Sequence, residues 1–129
     1  MTRTKLIGVR DPLGVRPLVL GRISDHGWAL SSETCGLDII GAEFIREIEP
    51  GEMVVIEGNK IETSRPFMPA TSRFCIFENV YFSRPDSMLD DISVYRTRRR
   101  FGKELAEQWK RSGAPTPDVV IPIPDSSRE

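Results

Sequence analysis

Two cysteines and a single histidine are all the thiol and imidazole ligands in a chain of 129 residues. Cys35 and Cys75 lie far apart, which argues against a disulfide framework of the kind that holds small secreted domains together. His26 stands in a turn sequence next to Gly27, with no nearby partner, and receives no role. Charge of one sign is lacking as well. Eighteen basic residues against nineteen acidic ones leave a net charge of −1, which gives no global attraction to nucleic acid or to an anionic membrane. No apolar run approaches the roughly 18 residues that span a bilayer. The opening Met1-Thr2-Arg3-Thr4-Lys5 is followed by too few apolar residues to read as a secretory signal. The expected compartment is the cytoplasm, with neither nucleic acid nor membrane among the partners. Internal repeats and low-complexity tracts are absent too.

What is present is a moderately hydrophobic chain, 39% apolar and 29% charged, long enough for one modest domain or parts of two. Residues 5–65 alternate short apolar runs with turn sequences, the signature of β structure. Leu6-Ile7-Gly8-Val9 and Leu18-Val19-Leu20 are divided by Asp11-Pro12-Leu13-Gly14, a turn with proline at its second position. Trp28-Ala29-Leu30 predicts another strand. Glu33 to Gly41 has helical apolar spacing and a closing glycine, which predicts a short helix. Phe44-Ile45 and Ile48, then the turn Pro50-Gly51, then Met53-Val54-Val55-Ile56 predict a strand pair. Gly58-Asn59 leads into Lys60-Ile61-Glu62-Thr63 as a hairpin partner.

Residues 64–73 carry two prolines and little periodicity, and read as a loop. Cys75 to Phe82 is a strand-like run stopped by Ser83-Arg84-Pro85-Asp86-Ser87. From Ile92 to Arg111 a helix is predicted, with Val94, Phe101, Leu105 and Trp109 on one face. Val119-Val120-Ile121 predicts a short, fully apolar strand of the kind buried in parallel sheets. Such a strand needs neighbours to satisfy its backbone, so the chain is expected to cut into a second domain near its end.

Several segments, in this order, resemble one family. They are Arg10-Asp11-Pro12-Leu13-Gly14-Val15-Arg16-Pro17-Leu18-Val19-Leu20-Gly21, then Ser32-Glu33-Thr34-Cys35-Gly36-Leu37-Asp38, then Cys75-Ile76-Phe77-Glu78-Asn79-Val80-Tyr81-Phe82-Ser83-Arg84-Pro85-Asp86-Ser87, and finally Val119 to Ser126. Their order and spacing are similar to those of the amidophosphoribosyltransferases. The departures are small, notably Gly36 where alanine is usual and Asn79 where an aromatic is common.

The resemblance implies an α+β architecture: the C-terminal part of an Ntn-type αββα sandwich, a connecting helix, and the first strand of an α/β phosphoribosyltransferase domain. On that mapping residues 1–73 end a class II glutamine amidotransferase domain, 74–117 join the domains, and 118–129 open the transferase domain. It implies an enzyme that converts phosphoribosyl pyrophosphate, glutamine and water to 5-phosphoribosylamine, glutamate and pyrophosphate, the first step of de novo purine synthesis. The intact enzyme is expected to be a homo-oligomer. The family's nucleophile is an N-terminal cysteine, where a free α-amino group serves as base. Met1 is followed instead by Thr2, and the family's acidic metal-gripping stretch belongs downstream. These residues alone are therefore expected to be inactive in both half-reactions. The competing expectation is a non-catalytic remnant or a binding partner of a full-length subunit.

Three residues carry site expectations by the resemblance. Ser126 corresponds to a hydroxyl ligand of Mg2+, a hard cation that accepts a neutral oxygen when carboxylates and phosphates supply the charge. The alternative is that Asp125 and Ser126 cap a following helix. Cys75 corresponds to one of the thiolates that hold a [4Fe–4S] cluster in some members; otherwise it is a small buried residue, as Cys35 is expected to be. Tyr81 corresponds to a tyrosine lining the path along which ammonia travels between the domains. Its ring excludes water while its hydroxyl takes one partner. The plainer reading packs Tyr81 on one face of a strand, with Val80 and Phe82 on the other. Arg84 and Asp86 can form an ion pair in the turn that follows. Arg96, Arg98, Arg99, Arg100 and Lys103 wrap around more than half a helix and are expected to be a solvated face, within pairing reach of Glu104 and Glu107.

Overall fold

A computed structural model describes residues 1–25, 27–124 and 127. The chain folds as β1 (Leu6–Val9), β2 (Val19–Ile23), β3 (Gly27–Ser31), α1 (Thr34–Ile39), β4 (Glu43–Glu47), β5 (Met53–Glu57) and β6 (Lys60–Ser64). After a loop comes a π-helical turn, Glu78–Phe82, followed by β7 (Met88–Leu89), β8 (Ile92–Ser93) and α2 (Val94–Arg111). One antiparallel sheet has the order β1-β5-β6 and a second the order β3-β2-β4. β7 and β8 make a small hairpin.

Side chains of period two divide the second sheet between two cores. Leu20, Trp28 and Leu30 turn towards the first sheet, where they pack with Leu6, Ile48, Val54, Ile56 and Ile61. Val19, Ala29 and Ile23 turn the other way and pack with Leu37 of α1 and with Ala42. The layers therefore run sheet, sheet, helix. Gly21 lets α1 come this close: a Cβ there would stand 2.7 Å from Leu37 Cδ2 and 3.2 Å from the Glu43 carbonyl.

The Asp11–Gly14 turn forms as its sequence predicts. Gly14 N–H donates to the Asp11 carbonyl at 2.9 Å, and the Asp11 carboxylate takes the N–H groups of Leu13 and Val15. Gly14 sits at φ +60°, a conformation open to glycine at little cost.

Four expectations are corrected. β4 and β5 do not pair; β4 joins β2 and β5 joins β1 and β6. Ile48, fully buried between the sheets, marks where the chain crosses from one sheet to the other, so Pro50-Gly51 is part of a crossover. Cys75–Phe82 is not a strand. It closes on itself through Val80 N–H to Ile76 O and Ser83 N–H to Glu78 O, because no strand among the described residues takes its backbone groups. Ile92 precedes the helix and pairs in β8; α2 begins at Val94, with Ser93 Oγ accepting the Arg96 N–H. Val119–Ile121 forms no strand, and Val119, Val120 and Ile121 are all exposed, since no ladder reaches them among the described residues. No helix among the described residues is long and apolar enough to cross a membrane.

Candidate functional site

The segments that stand apart in sequence converge around the π-helical turn. Arg16, from the loop after β1, reaches Glu78 at the start of the turn in an ion-pair contact. Glu33, just before α1, accepts the Arg84 N–H at 2.7 Å and the Ser87 hydroxyl at 2.9 Å through its Oε2. The Thr34 hydroxyl accepts the Met88 N–H at 2.9 Å. Backbone bonds add to the seam: Cys75 N–H donates to the Val15 carbonyl, and Arg73 N–H to that of Leu13.

Polar groups are buried at this seam. Glu78 is 1% exposed, Ser83 1% and Ser87 0%. Burying a carboxylate is costly unless its oxygens are paired. Glu78 Oε2 accepts the Ser83 hydroxyl at 2.6 Å. Its Oε1 has the Arg16 guanidinium against it, without an aligned hydrogen bond, so charge alone holds this oxygen. A π turn leaves carbonyls that an α-helical ladder would use. Arg98, reaching over from α2, donates Nε to the Asn79 carbonyl at 2.9 Å and Nη2 to that of Ser83 at 2.6 Å.

Arg98 therefore departs from the solvated face expected for the basic run: it is 8% exposed, whereas Arg96, Arg99, Arg100 and Lys103 are open to solvent. Glu107 pairs with Lys110 at 3.1 Å, outside that run. Arg84 and Asp86 do form an ion pair, with two parallel bonds at 3.0 Å. Asp86 is held below its ordinary value by the Arg84 hydrogen bond.

Tyr81 lies on the π turn and is 62% exposed. The alternating faces of a strand do not apply, since Tyr81 and Phe82 are neighbours with ring centroids 5.7 Å apart. Phe77 stands 6.2 Å from Phe82, and the Arg16 guanidinium lies 4.6 Å over the Phe82 ring. The turn thus presents a half-exposed aromatic surface above the buried Glu78 carboxylate. Cys75, half-buried, accepts the Glu78 N–H at its carbonyl. Cys35 is buried as expected, and burial pushes its thiol up from the ordinary value. No three of the described residues cluster as metal ligands. Ser126, with Asp125, and His26 lie outside the described residues.

Sequence reasoning missed Glu78, Ser83, Ser87 and Arg98. The one available signal was their occurrence within or near the most distinctive segment. An acidic residue in an otherwise apolar run can mark a buried pair as well as an exposed edge, and pattern alone does not separate the two.

Comparison with known proteins gives this convergence a context. The chain is 47% identical over 130 aligned residues to an amidophosphoribosyltransferase from Rhizobium etli, covering 97% of the chain and 25% of that protein. It is 42% identical over 127 residues to the Bacillus subtilis amidophosphoribosyltransferase, covering 98% and 26%. Among solved structures, a glutamine phosphoribosylpyrophosphate amidotransferase from B. subtilis, complexed with ADP and GMP, superposes with a TM-score of 0.88 at 42% identity. That match covers 99% of the chain and 27% of the solved one. No family model matches. The chain spans about a quarter of the length of the curated relatives it matches.

Proposed function

We infer, from the chain's similarity to amidophosphoribosyltransferases, that it belongs to their family and that these 129 residues are the junction segment of an enzyme that opens purine synthesis. In that reading the enzyme hydrolyses glutamine to glutamate and ammonia. The ammonia then displaces pyrophosphate from phosphoribosyl pyrophosphate to give 5-phosphoribosylamine. The observation that carries the reading is 42% identity together with a TM-score of 0.88 over nearly the whole chain. Residues 1–73 end the glutaminase domain, an Ntn-type αββα sandwich; the sheet–sheet–helix layering supports this. Residues 74–117 connect the domains. Residues 118–129 open the transferase domain, a reading supported by the exposure of Val119, Val120 and Ile121, a run stable only against neighbouring strands. The working compartment is the cytoplasm and the intact enzyme a homo-oligomer.

Tyr81 lines the ammonia path in this reading. Its ring, with those of Phe77 and Phe82, offers a wall that excludes water from a neutral, reactive intermediate. Ser126 supplies one hydroxyl oxygen to Mg2+, which in the enzyme neutralises pyrophosphate charge. In this reading the carboxylates for that ion belong to a stretch of the intact enzyme beyond these residues. A [4Fe–4S] cluster does not fit the chain's own donors. Cys75 can serve as one thiolate, but the only other cysteine is buried beside Glu33, and a cluster takes a full set of such ligands.

The test is a segment exchange. The B. subtilis enzyme, with its matching quarter replaced by these 129 residues, is expected to restore purine-free growth to a strain lacking that enzyme. A chimera that accumulates to the parental level yet releases no pyrophosphate from phosphoribosyl pyrophosphate, with either glutamine or ammonium, overturns the reading. In the working chimera, Tyr81→Ala is expected to lower the glutamine-supported rate more than the ammonium-supported rate. Equal losses remove Tyr81 from the path.

A further inference from the structure

The π-helical turn is held from two sides, and the holding groups bracket Tyr81. A single wide turn is intrinsically less favourable than an α turn and persists where its surroundings determine it. From α2, Arg98 spans the turn, with Nε on the Asn79 carbonyl at 2.9 Å and Nη2 on the Ser83 carbonyl at 2.6 Å. Those two residues flank Tyr81 on either side. From beneath, Glu78 takes the Ser83 hydroxyl at 2.6 Å and is paired with Arg16, whose guanidinium in turn lies over the Phe82 ring next to Tyr81. The planar fork of an arginine can satisfy two separated carbonyls at once, whereas the point charge of a lysine serves them poorly.

We propose that Arg98 is a positioning residue for coupling of the two half-reactions: it clamps the π turn so that the Tyr81 ring stays in place along the ammonia path. The proposal rests on the path reading given above. Arg98 touches no substrate in it and acts only through the turn. Its loss therefore separates the coupled rate from the two partial rates, which an ordinary packing role does not do.

The experiment uses the B. subtilis enzyme carrying this segment. Three rates are measured: glutamine hydrolysis, pyrophosphate release with ammonium, and pyrophosphate release with glutamine. Arg98→Met is expected to lower the last by about fivefold or more while the first two stay within about twofold. Glutamate is then released in excess over pyrophosphate. Arg98→Lys is expected to fall between the two. A uniform loss in all three rates, or an unchanged coupled rate, overturns the proposal. Should Arg98→Met fail to accumulate, Arg98→Lys and Glu78→Gln are compared by the same ratio and decide it. Tyr81→Ala separates the two ideas. If it uncouples while the Arg98 variants do not, the positioning role alone falls. If it leaves the ratio intact, the path reading falls and this inference with it.

Discussion

At Glu52 a nearly buried carboxylate takes two guanidinium N–H groups of Arg46, at 2.6 and 2.9 Å, and the Glu49 backbone N–H at 2.8 Å. The Arg46 hydrogen bonds hold the carboxyl below its ordinary value; burial opposes them and the Glu49 amide adds to them. A carboxyl whose pKa is depressed by folding contributes stability that is complete above its ordinary value, 4.5, and is lost as pH falls through the lower folded value. Glu52→Gln is therefore expected to cost about 1–2 kcal/mol at neutral pH, at the low end for charge-assisted bonds. Partial exposure of Arg46, whose side chain is 39% open, sets that limit. Urea denaturation of the two proteins should show the gap closing as the pH is lowered below 4.5; a gap independent of pH would mean that packing, not charge, is what the substitution removed. Single residues were unevenly legible. Arg84 and Asp86 were readable as a pair because they stand two apart in one turn. Arg98 and Glu78 were not, because their partners arrive from other elements.

Elements were readable where local pattern and tertiary demand agree. β1, β5, β6 and α1 fall close to where alternation and closing glycines put them. The Cys75–Phe82 run was misread because its apolar residues serve an exposed aromatic surface while its backbone is satisfied by a turn and by Arg98. No periodicity within the segment announces a partner on α2. Gly21 marks the opposite case, a single residue on which an element's position depends. Gly21→Ala places a methyl against Leu37, with the Glu43 backbone carbonyl leaving no room to retreat. The expected loss is about 1–3 kcal/mol in thermal or urea unfolding. Leu37→Ala should relieve part of that loss in the double variant, by less than the Leu37 truncation costs alone. Strict additivity of the two would argue against a shared clash.

For the whole molecule, resemblance to a family was legible in the sequence, and what unites the motifs was not. Spacing along the chain gives the order of the segments; only the fold shows Arg16, Glu33 and Thr34 meeting the turn region at one seam. The same scale exposes a second feature hidden from pattern. Phe101, Leu105 and Trp109, predicted as the packed face of a helix, are 41%, 65% and 47% exposed, and Val119, Val120 and Ile121 lie open beyond them. Trp109 is tied to the following loop by its indole N–H on the Pro115 carbonyl, and the stripe and the run are both open to solvent. Scattered exposed apolar residues are ordinary, but contiguous ones favour association. The 129 residues expressed alone are expected to self-associate at micromolar concentration, seen by sedimentation velocity. Leu105→Glu combined with Val120→Asp should shift the distribution towards the monomer without lowering thermal stability, because neither side chain contributes to a core. A wild-type chain that sediments as a monomer would mean that the stripe and the run cover each other in solution, and the double variant should then destabilise the fold instead.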